Sequence, residues 1–144
     1  MARNFLSDHK IVVAKAATTA GTSDVETSII DMAGYEGVAF LATIHTPAAD
    51  NLIKAQQNTA NSTSGMADLA GTEIATGTGT DAITVCRIVD APRERYVRAV
   101  IERGTETTVS EILAVLYGAS SMPQSSGTAT LLVEQHINTA EGTA

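Results

Sequence analysis

The fold of this chain is decided by residues 90–118, DAPRERYVRAVIERGTETTVSEILAVLYG. Side chains alternate between two faces along a strand, and this period predicts strands at 93–103 and 108–117. A short polar turn at 104–107 is expected to join them into a hairpin. The second strand is apolar on both faces, which is typical of a strand in the middle of a sandwich or at a subunit contact. Its faces carry Ile112, Ala114 and Leu116, and Leu113, Val115 and Tyr117, respectively.

Shorter runs rich in β-branched residues predict further strands at residues 10–16, 25–32, 38–45 and 82–89. Residues 51–58 fit a helix or a strand. A strand is favoured because the neighbouring elements are strands and a short connection permits a hairpin with 38–45. The spacing of strands and turns predicts an all-β chain, an antiparallel β-sandwich or jelly-roll-like single domain.

The character of the sequence changes after Gly118. Residues 1–118 are predicted to form the β-sandwich domain, and 119–127 (ASSMPQSSG) to form a linker of small residues. Residues 128–144 contain a second apolar run with Leu131, Leu132 and Val133 at its centre. This segment is predicted to be either the last strand of the domain or an extended C-terminal arm that docks on a neighbouring subunit.

Charge excludes some classes of partner. Sixteen acidic and nine basic residues give a formal net charge of −7 over 144 residues. Nucleic acid and anionic membranes attract clustered Lys and Arg, so neither is an expected partner. Arginines do cluster on the stretch that decides the fold, but glutamates interleave with them, which favours a ladder of surface ion pairs over a nucleic-acid patch. The arginines concerned are Arg87, Arg93, Arg95, Arg98 and Arg103.

No motif for catalysis or cofactor binding is recognisable. The single cysteine, Cys86, excludes an intrachain disulfide and is predicted to be a buried structural thiol. The Gly-rich run at 76–81 lacks the Lys and the strand-to-helix context of a phosphate-binding loop. The three histidines lie on separate elements, and no serine stands in a nucleophile elbow. Neither enzymatic activity nor a cofactor or metal is expected.

Targeting signals are also missing from the sequence. The first ten residues lack the apolar run of a signal peptide, and no window approaches the roughly 20 apolar residues of a membrane span. The chain is therefore expected to be made and kept in the cytosol, or in a particle assembled there.

Four segments carry a resemblance to a known class of protein: 31–44 (DMAGYEGVAFLATI), 71–105 (GTEIATGTGTDAITVCRIVDAPRERYVRAVIERGT), 117–124 (YGASSMPQ) and 140–144 (AEGTA). Together they resemble small structural proteins of tailed bacteriophages. The size and composition are similar to those of capsid decoration (cement) proteins. The matching motifs are structural and include no catalytic residues.

The resemblance implies a virion component on the outer surface of the capsid, assembled in the host cytoplasm. Its partner would be the major capsid protein, and self-association, with a trimer favoured, would be expected. Other virion positions, such as a head–tail joining or tail-associated protein, remain alternatives. A receptor- or glycan-binding module would require exposed aromatic residues, which are few here. The candidate protein–protein contacts are Arg93, Arg95, Tyr96, Arg98, Leu113, Val115, Tyr117, Leu131, Leu132 and Val133.

Overall fold

The computed structural model describes residues 5–121 and 131–132. Two antiparallel sheets pack face to face, which confirms the predicted all-β sandwich. A single helical turn precedes the first strand. The elements are α1 (Phe5–Asp8), β1 (Lys10–Lys15), β2 (Thr18–Gly21), β3 (Val25–Glu26), β4 (Ile30–Asp31), β5 (Gly37–Ile44), β6 (Asn51–Asn58), β7 (Ala67–Asp68), β8 (Ile74–Ala75), β9 (Ile83–Asp90), β10 (Tyr96–Arg103), β11 (Thr107–Val109) and β12 (Ile112–Tyr117).

Each sheet is built around two long central strands. In sheet A, β12 lies between β1 and β5, and β9 pairs with the other side of β5. The short strand β11 also pairs with β5, and β2 pairs with β11, with a register shift between Thr107 and Val109. In sheet B, β10 lies between β6 and the pair β3 and β4, and β6 also pairs with β7 and β8. The placement of β12 between two strands agrees with the prediction of a central strand.

The core fills the space between the two sheets. One face of each long strand supplies it, as the two-residue period requires. The largest buried side chains are aliphatic, with Phe40 as the one large aromatic ring among them. Sheet A contributes Val38, Phe40, Ile44, Val109 and Ile112, and sheet B contributes Ile53, Val97 and Ile101.

The predicted hairpin of 93–103 and 108–117 is wrong. The first strand, β10, belongs to sheet B, whereas β11 and β12 belong to sheet A, so the turn between them crosses the sandwich. Residues 51–58 form the predicted strand, β6. Its partner, however, is β10 along its whole length, and β5 lies in the other sheet. The two-residue period identifies a strand but contains no information about which strand it pairs with.

The two crossing loops hold each other in place. Asn51, which is fully buried, accepts a hydrogen bond from the backbone N–H of Thr105 at 2.9 Å. The Thr105 hydroxyl lies 3.0 Å from the Asp50 carboxylate. Gly104 lies so close to Asp50 that a Cβ at this position would approach its carboxylate to 2.7 Å. One cluster of polar contacts therefore joins the two loops that cross between the sheets at this end of the sandwich.

Arg103 links the sheets at the same end. It is 7% exposed, although it was expected on the surface in an ion-pair ladder. Its Nε donates to the carbonyl oxygen of Ser23 at 2.6 Å, and its Nη1 donates to those of Thr19 and Thr107 at 2.9 and 2.8 Å. The guanidinium of a sheet B strand thus binds the backbone of β2 and β11 in sheet A. This suits arginine because its five N–H donors have fixed directions.

Several predicted boundaries change. The strand predicted at 93–103 begins at Tyr96, after a loop in which Ala91 has a positive φ of 43°. The strand predicted at 108–117 is interrupted at Ser110 and Glu111, and 25–32 contains two short strands that contact different parts of β10. The last strand within residues 5–121 is β12, which ends at Tyr117. The linker and arm predictions lie mostly outside the described residues.

Candidate functional site

The outer face of sheet A is apolar. Residues 112, 114 and 116 of β12 are buried in the core, so Leu113, Val115 and Tyr117 lie on the opposite face, where they are half-buried. The sequence predicted these three residues as a second apolar face. The structure places them on the outside of the sandwich.

Register extends this surface across four strands. Two rows of side chains stand side by side, since paired residues in a sheet point to the same face. We call these eight residues the apolar face. The first row is Ile11, Val115, Ala39 and Ile88, and the second is Val13, Leu113, Leu41 and Cys86.

The apolar face contains no Asp, Glu, Lys, Arg or His among its eight residues. Ile88 is 51% exposed, and Cys86 is an exposed free thiol. The prediction that Cys86 is buried is therefore wrong: its neighbours Val85 and Arg87 point inward, and the alternation places the thiol outside. The other six residues of the apolar face are half-buried.

Polar side chains border the apolar face at both ends. At one end the hydroxyls of Thr43 and Thr84 are 2.9 Å apart. At the other, the Tyr117 hydroxyl donates a hydrogen bond to Asp90. Burial, followed by this contact with Asp90, raises the pKa of Tyr117 to about 12. The Tyr117 ring lies over Gly37, where any side chain would overlap it.

The outer face of sheet B has the opposite character. Lys54 on β6 contacts Glu102 at 2.5 Å and Asp68 at 2.9 Å, and the hydrogen bond that it donates to Glu102 is the main reason that the pKa of Lys54 is raised. Arg98 donates to Glu26 and Gln56, each at 2.7 Å. Charged and amide groups thus cover this sheet and satisfy one another.

Arg98 is part of that covering and is 6% exposed. The expected ion pairs do exist, but their partners come from other strands and not from the interleaved glutamates of the same stretch. Because its donors are occupied within the sandwich, Arg98 stabilises sheet B, and it is the candidate contact residue least able to reach another protein.

The other candidates on this stretch are more accessible. Arg93 is exposed in the loop before β10, and Tyr96 is half-buried at the start of β10. Arg95 lies over the Tyr96 ring and forms a bidentate contact with Asp31, with both distances 2.8 Å. The hydrogen bond from Arg95 lowers the pKa of Asp31 to about 2.

An open cleft of about 600 Å³ lies between the loops at residues 32–36 and 90–95. Tyr35 lines it, and burial raises the pKa of this tyrosine. The backbone N–H of Ala91 donates to the carbonyl oxygen of Glu36 at 2.8 Å and fixes the two loops to each other. Both acidic and basic side chains line the cleft, so it has no single charge preference for a ligand.

The C-terminal candidates are described only in part. Leu131 is half-buried, whereas Leu132 is 92% exposed. Val133 lies outside the described residues.

The described residues include neither a metal-binding cluster nor a membrane-spanning helix. Within residues 5–121 and 131–132, no three His, Cys, Asp or Glu side chains are grouped to hold a metal ion. In the same part of the chain, no helix has the length and apolar character needed to cross a membrane. The apolar face is the candidate protein-contact surface.

Comparison with known proteins gives no family assignment. The sequence matches no protein-family model and no curated protein.

Proposed function

We propose that this chain is a capsid decoration (cement) protein of a tailed bacteriophage. It binds the outer surface of the shell formed by the major capsid protein and stabilises the head. The proposal rests on the resemblance of four sequence segments to small phage structural proteins. It also rests on one structural observation, the difference between a charged outer face on sheet B and an apolar one on sheet A.

The two outer faces suit a protein that works by contact. A cement protein adds contact area between capsid subunits and requires no cofactor, disulfide or catalytic group. An apolar face supplies area that is buried on assembly, and a self-satisfied charged face remains soluble. Both surfaces are carried by a rigid sandwich whose crossing loops are fixed by Asn51 and Arg103.

The net charge of −7 supports an outer position. An acidic protein is attracted to basic patches on a shell and is repelled by packaged nucleic acid. The exposed Arg93 lies on a loop at one end of the sandwich, beside the Asp31-paired Arg95, and supplies a basic side chain for contact with the shell. Self-association, with a trimer favoured, places several such loops on one capsid site.

Electron cryomicroscopy of intact particles tests the proposal. A decoration protein is expected in hundreds of copies distributed over the outer surface of the head. A ring of a few dozen copies or fewer at the head–tail junction, or density confined to the tail, would instead identify one of the other virion positions and overturn the proposal.

A binding assay provides a second test. Heads lacking the chain are mixed with purified protein and sedimented, and bound protein is measured against added protein. We expect saturable binding that weakens as salt is raised, together with a higher temperature of head disruption. The matched comparison is a chain ending at Pro123, which lacks the C-terminal segment and is expected to bind with reduced occupancy.

A further inference from the structure

Arg87 on β9 has a side-chain donor that the fold leaves unpaired. Its Nε is buried and has no hydrogen-bond partner within residues 5–121 and 131–132. In three other arginines the same atom donates a hydrogen bond of 2.8 Å or less. The acceptors are Asp31 for Arg95, Gln56 for Arg98 and the carbonyl oxygen of Ser23 for Arg103. Arg87 thus departs from the pattern that these three arginines follow.

The surroundings of Arg87 are apolar. The residue is paired with the fully buried Phe40, so its side chain starts on the core-facing side of β9. The core-facing residues before and after it on this strand are valines. Strand β6 of the other sheet comes close to β9 and contributes the fully buried Ile53 and Ala55. These side chains accept no hydrogen bonds, so the neighbouring interior does not satisfy Nε.

An unpaired donor in this position is unfavourable for the isolated sandwich. A buried N–H group loses its hydrogen bonds to water and gains none in exchange, and a positive charge makes the loss larger. Native structures contain few such groups, and each one calls for an explanation. An apolar side chain at residue 87 would avoid the loss. The guanidinium therefore serves something other than the stability of the isolated chain.

The chemistry of the guanidinium defines what satisfies it. Nε and one Nη form a parallel pair of donors that matches the two oxygens of a carboxylate. A carbonyl oxygen would satisfy one donor and leave the charge uncompensated. Phosphate has suitable oxygens, but it brings almost two negative charges to a chain whose net charge is −7. Within residues 5–121 and 131–132, no carboxylate forms an ion pair with Arg87, whereas Arg95 and Arg98 are paired with Asp31 and Glu26.

We propose that Arg87 binds a carboxylate side chain of a partner protein, and that its guanidinium turns away from the core to do so. The movement is required because Nε is buried in the isolated chain. It is a short movement, since Arg87 is only half-buried. A long arginine side chain keeps its hydrocarbon stem on an apolar surface while its charged head reaches water. The inference concerns recognition of a carboxylate and is independent of attachment to a capsid.

Nuclear magnetic resonance of the full-length chain tests the contact directly. The probe is glutamate blocked at both its amino and α-carboxyl groups, and blocked glutamine, which differs only in the carboxylate, is the control. We expect the Nε–H signal of Arg87 to move saturably with blocked glutamate and to exchange faster with solvent. The signals of Arg95, Arg98 and Arg103 should stay in place, because their Nε atoms already have acceptors.

Two substitutions separate binding from folding, with the backbone amide signals of β9 as the common measure of binding. Arg87→Met removes the donors and the charge, so binding should be lost. The melting temperature should stay the same or rise by about 3 °C, because an unpaired buried donor is removed. Arg87→Lys keeps the charge without the parallel donors, and it should weaken binding roughly tenfold, the effect of one lost charge-assisted hydrogen bond.

Several results would overturn the inference. One is an Arg87 signal that does not move, or that moves equally with blocked glutamine. Equal movement of all the arginine signals would show an effect of ionic strength only. A response to acetate but not to blocked glutamate would restrict the site to small free carboxylates and exclude the side chain of a partner protein. A melting temperature that falls by more than about 3 °C in Arg87→Met would assign the guanidinium to the stability of the sandwich.

Discussion

Replacing Arg103 with methionine tests whether the two sheets depend on a buried guanidinium. The substitution removes three hydrogen bonds to carbonyl oxygens, at 2.6, 2.9 and 2.8 Å, while it retains most of the volume of the side chain. A hydrogen bond that involves a charged group contributes about 1.5–3 kcal/mol, which gives an upper limit of about 4.5–9 kcal/mol for three. The cost of burying the guanidinium offsets part of this sum.

The expected net loss is about 3–5 kcal/mol, in the range found when one partner of a buried charged contact is removed. Thr107 is 1% exposed, so its carbonyl oxygen cannot be rehydrated without movement of β11. With a shift of about 3 °C per kcal/mol for a chain of this size, the melting temperature should fall by about 9–15 °C.

Urea unfolding followed by circular dichroism measures the loss directly, because an unchanged m-value assigns it to stability. Arg103→Lys is the matched variant: it keeps the charge but lacks the fixed fork of donors, so it should recover less than half of the loss. A loss below about 1 kcal/mol for the methionine variant, or full recovery by lysine, would refute the role assigned to the guanidinium geometry.

Three further predictions concern single contacts. Because Arg95 lowers the pKa of Asp31 from 3.8 to about 2, this pair adds stability above about pH 4 that is lost as the pH falls through 2. Both groups are about half exposed, so the contribution is under about 1 kcal/mol, and Asp31→Asn should flatten the pH dependence of the urea midpoint between pH 2 and 4; an unchanged slope would contradict it. The pKa of Tyr117 is raised from 10 to about 12, so the stability it contributes is complete below pH 10 and is lost as the pH rises through 12. Ultraviolet titration of tyrosinate should show this late ionisation, and Asp90→Asn should move it to lower pH; an unmoved titration would exclude the contact as a cause. Gly37→Ala should destabilise the fold by about 1–3 kcal/mol because its Cβ overlaps the Tyr117 ring, and in a Tyr117→Ala background the same change should cost much less; equal melting-temperature losses in both backgrounds would exclude the overlap.

The sequence predicted the strands and the sandwich because both depend on local patterns. Alternation along β9 and β12 correctly separates the two faces of each strand. Pairing depends on contacts distant in sequence, which explains why the predicted partners of β6 and β10 were wrong. Side chains alternate with the same two-residue period in either sheet, so the alternation does not identify the partner of a strand.

The roles of Arg98 and Arg103 also depend on contacts that are distant in sequence, so the sequence did not predict them. Arg98 and Arg103 were expected on the surface, since arginine is rarely buried unless its charge is satisfied. Their partners, Glu26 for Arg98 and Ser23 for Arg103, lie 72 and 80 residues away in the chain. Only the fold brings these groups together. The extent of the apolar face was equally hidden, because its two rows combine residues from four strands.

One edge of sheet A carries a residue that disfavours strand addition. Within the described residues, the eight-residue strand β9 pairs only with β5. Arg87 points inward from this strand, in register with Phe40, and its buried Nε has no hydrogen-bond partner among those residues. An inward-pointing charge on an edge strand disfavours the addition of another strand, because close pairing would bury the charge further. The inward position of Arg87 thus protects this edge of sheet A against open-ended pairing of strands.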